Sequence, residues 1–114
     1  MLSVPELVKL ASENVRRIDA NTAFKEVSTN DGVIIDVREP GEVSSNPTKD
    51  TVNIPRGVLE MKVPDICNDP DRAIYLLCAT GGRATLAAEQ LLRIGYANVS
   101  AISCDIETIR TLQK

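Results

Sequence analysis

The chain has 114 residues, of which 43% are hydrophobic and 25% are charged, and its formal net charge is −3. This length suits one domain with its own core, and the mixed, slightly acidic charge pattern argues against nucleic acid as a partner. No apolar run approaches the length of a membrane span, and the amphipathic, partly acidic residues 1–15 do not resemble a signal peptide. We therefore expect a cytoplasmic protein that binds neither a membrane nor nucleic acid.

The absence of histidine excludes several kinds of chemistry. It removes Ser-His-Asp and Cys-His catalysis, imidazole acid–base chemistry and His-ligated zinc. The three cysteines, Cys67, Cys78 and Cys104, are widely spaced and form no CxxC pair. Because the chain shows no export signal, we expect free thiols in a reducing compartment, with no bound metal and no cofactor.

The first predicted helix begins at Ser3, where Glu6 completes a capping box. Leu7, Leu10 and Ala11 follow at helical spacing and give this helix one apolar face. Such a helix is expected to cover part of a neighbouring structure with that face.

The rest of the chain alternates between strand and helix patterns. A short edge strand at Ile18 precedes a helix over residues 20–28, which Asp19 caps. A continuous β-branched run at residues 33–37 indicates a central parallel strand that is covered on both faces. The remaining predicted elements are a helical turn at 41–44 within a loop, a strand at 51–54, a helical turn at 58–61, a strand at 73–77, a helix at 83–94 ended by Gly95, a strand at 98–102 and a helix at 105–112, capped by Asp105.

Strands that alternate with helices predict an α/β fold with a mainly parallel central sheet of about five short strands, flanked by helices. In such sheets, ligands bind at the carboxyl ends of the strands. The apolar strand at 73–77 ends there in Cys78, and four small residues and Arg83 follow before the next helix pattern.

This arrangement predicts a reactive sulfur at Cys78. The tight loop and the first turn of the helix direct backbone N–H groups, and the positive end of the helix dipole, at one atom. Such surroundings favour a thiolate over a thiol, and they suit a nucleophile that carries negative charge.

In this segment the chain resembles the rhodanese family. Cys78, Gly81 and Arg83 satisfy the pattern Cys-x-x-Gly-x-Arg. Two further segments stand in the family's order: residues 36–39 read Asp-Val-Arg-Glu, and residues 52–57 read Val-Asn-Ile-Pro-Arg-Gly. The combination of the three segments in one order makes the resemblance specific.

The resemblance covers about residues 17–103 as a family core, and it leaves residues 1–16 as an N-terminal helical extension of a single domain, residues 1–114. It implies the rhodanese-like three-layer fold and a sulfurtransferase. In that family the cysteine accepts a sulfane sulfur as a persulfide. Cys78 would then take sulfur from thiosulfate or a persulfide and pass it to a thiophilic acceptor, which is cyanide, a thiol or a protein.

The resemblance also assigns roles to the loop. The backbone N–H groups of Ala79, Thr80, Gly81, Gly82 and Arg83 would form a cradle around the outer sulfur, and the Arg83 side chain would hold the loop and add positive charge. Ala79 and Thr80 are neutral, whereas thiosulfate-using members often carry basic residues here. We therefore expect thiosulfate to be a poorer donor than a less charged persulfide.

Two other functions stay open. One is a sulfur-relay or regulatory binding module with little turnover of small molecules. The other is a phosphatase or arsenate reductase, since relatives of this fold with those activities use a Cys-x5-Arg loop. Only four residues separate Cys78 from Arg83, and the shorter loop favours a single sulfur over a tetrahedral oxyanion.

The remaining candidates receive secondary roles. Cys67 and Cys104 are both interpreted as inert. Cys104 follows a predicted strand end on the same sheet edge as Cys78, so the alternative is that it resolves the persulfide or forms a disulfide with Cys78. Residues 36–39 are interpreted as a structural network that holds the loops. Residues 16–17 are interpreted as a solvated arginine pair.

Overall fold

The computed structural model describes residues 1–114 and contains five strands and six α-helices. In chain order they are α1 (Val4–Ser12), β1 (Arg16–Ile18), α2 (Ala20–Asn30), β2 (Val33–Asp36), α3 (Pro40–Ser45), β3 (Val52–Asn53), α4 (Leu59–Ile66), β4 (Ile74–Leu77), α5 (Gly82–Ile94), β5 (Val99–Ile102) and α6 (Ile106–Leu112). A 3₁₀ turn, Arg56–Val58, leads into α4. None of the helices combines the length and the apolar character that crossing a bilayer requires.

The five strands form one sheet in the order β1-β5-β4-β2-β3, and every neighbouring pair is parallel. Parallel neighbours need crossover connections, which the helices provide. β4 lies at the centre of the sheet and is buried at all four positions. The predicted α/β fold with a central sheet of five short strands is confirmed, and the sheet is wholly parallel.

Side chains alternate between the two faces of the sheet and build two cores. The larger core lies on the face that α4 and α5 cover, and the smaller core lies on the face that α2 and α6 cover. The larger core consists of Val15, Ile35, Val37, Ile54, Leu59, Val63, Cys67, Ile74, Leu76, Cys78, Ala84, Ala87, Ala88, Leu91, Tyr96, Val99 and Ala101. The smaller core consists of Ala20, Ala23, Ile34, Ala73, Tyr75, Leu77, Ile102 and Ile109. Helices on both faces of the sheet give the predicted three layers.

The predicted helix caps are present. Ser3, Asp19 and Asp105 each accept a hydrogen bond from a backbone N–H group in the first turn of the following helix. Gly95 follows α5 with a φ of +127°, a backbone conformation that suits glycine. These caps are local features, which explains why the sequence predicts them well.

The predicted apolar face of α1 is only partly buried, and the last apolar residue of α5 is exposed as well. In α1 only Ala11 is buried, while Leu7 and Leu10 are exposed. In α5, Leu91 is buried and Ile94 is 48% exposed. Periodicity identifies the inner face of a helix, but the neighbouring layer decides how much of that face is covered. α1 is an outer helix that packs against α5, so one side of its apolar stripe meets solvent.

α4 is longer than the helical turn predicted at residues 58–61, since it continues to Ile66. Pro64 lies inside it and cannot donate a backbone hydrogen bond, which weakens a helix locally. Leu59 and Val63 are fully buried in the larger core. Burial of this face therefore outweighs the local preference against a helix.

Candidate active site

Cys78 directly follows the last residue of β4, and its side chain is fully buried. Its Sγ accepts two backbone hydrogen bonds, from the N–H of Gly81 at 3.0 Å and from the N–H of Ala84 at 3.3 Å. Ala84 is the third residue of α5, so the first turn of that helix points at the sulfur. N–H donors and a helix N-terminus both stabilise negative charge on the atom they face.

We call residues 78–84 the Cys78 loop. Four of its N–H groups, those of Ala79, Thr80, Gly82 and Arg83, donate to no other group of the protein. Gly82 and Arg83 are the first two residues of α5, where no preceding helical carbonyl stands opposite the N–H group. The loop therefore presents unused donors beside a sulfur that already accepts two hydrogen bonds.

Of the N–H groups expected to form the cradle, those of residues 79–83, only that of Gly81 donates to Cys78 Sγ. The N–H of Ala84 points at Cys78 Sγ, and sequence reasoning missed this residue. The third N–H group of a helix is always without an intrahelical partner. Counting positions from Gly82 as the first helical residue was the signal that could have found Ala84.

Two carbonyl groups of the Cys78 loop accept hydrogen bonds from neighbouring residues, and the chain after β5 lies close to Gly81. The carbonyl of Ala79 accepts from the N–H of Ile106 at 2.9 Å, and the carbonyl of Gly81 accepts from Thr85 Oγ1 at 2.7 Å. Gly81 has a φ of +96°, and a Cβ atom there would lie 3.2 Å from the Ser103 carbonyl oxygen. Glycine is therefore required at position 81 both by the backbone angle and by the close approach of β5's end.

Arg83 binds α3 rather than the sulfur. Its Nη1 and Nη2 donate to the two carboxylate oxygens of Glu42 at 2.6 and 2.8 Å. These hydrogen bonds, with a further one from the N–H of Glu39, lower the pKa of Glu42 to about 2, and they raise the pKa of Arg83. The bidentate pair fastens the start of α5 to α3.

A buried ion pair supports the neighbouring loop. Arg38 Nη2 lies 2.8 Å from Asp36 Oδ2, and the two side chains are 2% and 0% exposed. Arg38 also donates to the Asn46 carbonyl at 2.8 Å, and Thr48 Oγ1 donates to Asp36 at 3.2 Å. Glu39 is exposed and begins α3. The pair Asp36–Arg38 thus has the structural role expected of residues 36–39, and neither side chain forms a hydrogen bond with Cys78 Sγ.

The sheet separates Cys104 from Cys78. Cys104 Sγ accepts from the N–H of Ala20 at 3.2 Å and packs against the smaller core. Cys78 belongs to the larger core on the other face, and all three cysteines are free. Lying at the same sheet edge therefore does not bring the two sulfurs together. Cys67 is buried, as its inert role requires.

The two arginines of β1 are both exposed, as predicted, and as neighbouring residues of a strand they point to opposite faces of the sheet. Arg16 binds both carboxylate oxygens of Glu26, at 2.8 and 2.5 Å, and also Ser100 Oγ at 2.9 Å. Arg17 is exposed, and its Nη2 lies 3.5 Å from the position that a Cβ atom on Gly81 would occupy. The sequence shows that positions 79 and 80 of the Cys78 loop are neutral. The tertiary structure adds that the Arg17 guanidinium lies beside this loop.

The cavities of the protein surface lie away from the Cys78 loop. None of the depressions in the protein surface is lined by residues 78–84. The largest depression, of about 460 Å³, lies between α2 and α6, where Phe24 and Leu112 contribute to its lining.

This fold and loop define a class of protein: an α/β domain in which backbone N–H groups of a tight loop and of a helix N-terminus donate to a cysteine at the end of the central strand. The family model of the rhodanese-like domain matches residues 19–110. The chain belongs to the rhodanese-like domain family, as the resemblance implied. It is similar to a sulfurtransferase of Allochromatium vinosum, with 28% identity over 86 residues that cover 75% of this chain and 78% of the relative.

Solved structures share the fold. The polysulfide-sulfur transferase homodimer of Wolinella succinogenes has 27% identity and a TM-score of 0.75, over 89% of this chain and 77% of that chain. A Rhodopseudomonas palustris protein of unknown function, a possible tyrosine phosphatase, has 22% identity and a TM-score of 0.85, over 98% of this chain and 92% of that one. At 22% identity the second likeness shows the fold alone.

Proposed function

We propose that this protein is a sulfurtransferase that moves a sulfane sulfur through a persulfide on Cys78. One observation carries the proposal: the N–H groups of Gly81 and Ala84 already point at Cys78 Sγ, while those of residues 79, 80, 82 and 83 have no partner within the protein. The outer sulfur of an ionised persulfide is an anion that needs such donors. Donors held in place before the reaction stabilise charge without reorganisation.

The reaction proceeds in two displacements at sulfur. In the first, the Cys78 thiolate attacks the sulfane sulfur of thiosulfate or of a small persulfide. The donor's S–S bond breaks, and its electron pair leaves with sulfite or with a thiolate. In the second, cyanide, a thiol or a protein acceptor attacks the outer sulfur, and Cys78 leaves as the thiolate. Atoms and electrons balance without any oxidant or cofactor.

Within this proposal, the N–H groups of residues 79–84 bind the outer sulfur, and Arg83 keeps the loop in position through Glu42. The relatives support the reaction class: one is a sulfurtransferase, and the Wolinella succinogenes protein is named for a polysulfide. A polysulfide is a chain of sulfane sulfur, so it joins thiosulfate and persulfides as a candidate donor. The cytoplasmic location and the division into residues 1–16 and 17–103 stay predictions.

The arginine distinguishes sulfur transfer from phosphate ester hydrolysis. A cysteine loop that binds a phosphoryl group uses its arginine for two oxygens of that group. Here both terminal nitrogens of Arg83 bind Glu42, and the loop is one residue shorter than Cys-x5-Arg. Robust hydrolysis of an aryl phosphate by the protein would contradict this argument.

Intact mass after exposure to thiosulfate, and separately to a small persulfide, tests the proposal. The parent protein is expected to gain one sulfur atom, which cyanide or a thiol removes, and Cys78→Ser is expected to gain none. Cys104→Ser is the matched control, since it removes a half-buried thiol on the other face of the sheet. Absence of an adduct with both donors would overturn the proposal.

The same samples test the relay alternative. A stand-alone enzyme releases the sulfur to cyanide or to a small thiol in repeated turnovers. A relay module forms the Cys78 adduct but turns over only when its protein acceptor is added. Slow turnover that an added acceptor accelerates would therefore favour the relay.

A further inference from the structure

We propose that Arg110 and Gln113, at the end of α6, are positioning residues for sulfur transfer. They hold the segment of residues 46–50, which follows α3, and through α3 they fix the Glu42 carboxylate that binds Arg83. The inference rests on the proposed sulfurtransferase function, because it names residues that act on the Cys78 loop from a distance.

Arg110 connects α6 to the residue that ends α3. Its Nη1 donates to Asn46 Oδ1 at 3.1 Å, and its Nε donates to the Pro47 carbonyl at 3.0 Å. Asn46 is the C-cap of α3, and its N–H donates to the carbonyl of Glu42 at 3.0 Å. Because a guanidinium donates in a rigid, planar arrangement, it restricts both the position and the orientation of the groups it binds. Arg110 is therefore joined to Glu42 through one intervening residue.

Gln113 holds the same segment about one turn further along the chain. Its Oε1 accepts from the N–H of Lys49 at 2.9 Å, and its Nε2 donates to the Lys49 carbonyl at 2.8 Å. Lys49 Nζ also donates to the Gln113 carbonyl at 3.0 Å. The next residue, Asp50, has a φ of +56°, a left-handed conformation that is uncommon for a residue with a side chain. The Gln113 amide thus fixes the backbone directly before an unfavourable turn.

α6 adjoins the reacting sulfur's surroundings at both of its ends. At its start, the N–H of Ile106 donates to the Ala79 carbonyl of the Cys78 loop at 2.9 Å. At its end, about 10 Å further on, the two positioning residues hold residues 46–50. Two routes therefore lead from the end of α6 to the Cys78 loop, one along α6 itself and one through α3.

The route through α3 reaches the groups that stabilise charge on the sulfur. Glu42 fixes the Arg83 guanidinium by two hydrogen bonds, and Arg83 belongs to the first turn of α5, which donates to Cys78 Sγ. The hydrogen bonds to Glu42 raise the pKa of Arg83, and negative charge on Cys78 raises it as well, so this cation acts on the reacting sulfur. A displacement of α3 would move the cation and the N–H donors together, and misplaced groups lose much of their effect on a reaction.

A double-mutant cycle tests whether the effect passes through Glu42. The variants are Arg110→Gln, Gln113→Ala and Glu42→Ala, and each of the first two is also combined with the third. Arg72→Gln is the matched control, since Arg72 is likewise half-buried and donates from Nε to a backbone carbonyl, that of Asp31 at 3.1 Å, at the amino ends of β2 and β4. Intact mass gives the rate of persulfide formation with a donor that the parent accepts, and urea denaturation gives the stability.

We expect Arg110→Gln and Gln113→Ala each to slow persulfide formation about fivefold, which is the effect of about one net hydrogen bond. In the Glu42→Ala background neither substitution should slow the reaction further, because the route is already broken. Arg110→Lys should recover part of the rate, since an ammonium group can donate to one of the two acceptors. Arg72→Gln should lower the urea midpoint about as much as Arg110→Gln and leave the rate within about twofold of the parent.

Three results overturn the assignment: parent-like rates in both Arg110→Gln and Gln113→Ala, a loss that persists in full in the Glu42→Ala background, or an equal slowing in Arg72→Gln. A persistent loss would mean that the effect travels along α6 to Ala79. An equal slowing would mean that the rate follows overall stability alone.

Hydrogen–deuterium exchange of the peptide covering residues 78–85 repeats the cycle without a sulfur donor. Exchange should be faster in Arg110→Gln than in the parent, and adding Arg110→Gln to Glu42→Ala should not accelerate it further. A parent that forms no persulfide with any donor would contradict the proposed function itself. The exchange cycle would still decide whether Arg110 acts through Glu42, so the two failures are distinguishable.

Discussion

Gly81→Ala is expected to damage the Cys78 loop, whereas Gly82→Ala is not. At Gly81 the φ of +96° costs a residue with a side chain about 1–2 kcal/mol. The added Cβ atom would lie 3.2 Å from the carbonyl oxygen and 3.3 Å from the Cα of Ser103. The backbone of Ser103 cannot easily move away from such a Cβ atom, because its N–H donates to the Ile18 carbonyl at 2.9 Å. Strain and crowding together should lower the free energy of unfolding by about 2 kcal/mol.

Gly82 is the matched control, because it is the next residue and carries an ordinary helical φ. A Cβ atom there meets only Val8 Cγ2, at 3.6 Å, which is normal van der Waals contact. Alanine is also the better helix former, by about 0.5–1 kcal/mol. Gly82→Ala should therefore be as stable as the parent protein or slightly more stable.

Thermal denaturation and the rate of persulfide formation measure the two effects. A loss of about 2 kcal/mol corresponds to a fall in Tm of about 8–10 °C for a domain of this size. The shifted Gly81 N–H should also slow sulfur uptake by Cys78 about tenfold or more, as the loss of one preorganised donor does elsewhere. If Gly81→Ala equals Gly82→Ala in both stability and rate, the argument from backbone angle and close approach is wrong.

Two further predictions concern ion pairs. Asp36→Ala leaves Arg38 buried without its partner, so the free energy of unfolding should fall by about 3–5 kcal/mol; a loss below 1 kcal/mol in urea denaturation would contradict this. Glu42→Gln should cost less than about 1 kcal/mol at pH 7, since the side chains of Arg83 and Glu42 are 37% and 38% exposed. The hydrogen bonds from Arg83 lower the pKa of Glu42 below its ordinary value of 4.5, so the stabilisation is complete well above pH 4.5 and is lost as the pH falls below that value. The difference between Glu42→Gln and the parent in urea midpoints should accordingly shrink between pH 6 and pH 3, and a constant difference would argue against this linkage.

The parts of the site that are local in sequence could be predicted. The strand before Cys78, the small residues after it and the helix that begins at Gly82 all lie within one short segment, so their order alone implies a sulfur facing a helix N-terminus. The caps at Asp19 and Asp105 are local in the same sense. Each of these features depends on the backbone geometry of a few consecutive residues.

The parts that depend on distant contacts could not be predicted. The partner of Arg83 is Glu42 on another helix, and the neighbour of Gly81 is Arg17 on the edge strand. Sequence spacing does not reveal such contacts, because they depend on the order of the strands and on which layer covers each helix. Cys104 illustrates the same point: its position at the sheet edge was predictable, but the face it occupies follows from packing on α2.

By itself, the sequence determined the family, the α/β fold and the segment in which a strand, Cys78, a tight loop and a helix follow one another, since these follow from periodicity, turn chemistry and a short motif along the chain. Only the tertiary structure decided the charge around that cysteine. In the tertiary structure Arg83 forms an ion pair with Glu42, Cys104 lies on the opposite face of the sheet from Cys78, and Arg17 lies beside the Cys78 loop. The physical reason is that electrostatic surroundings depend on distances through space, and in a parallel sheet every neighbouring strand is separated in sequence by a crossover connection.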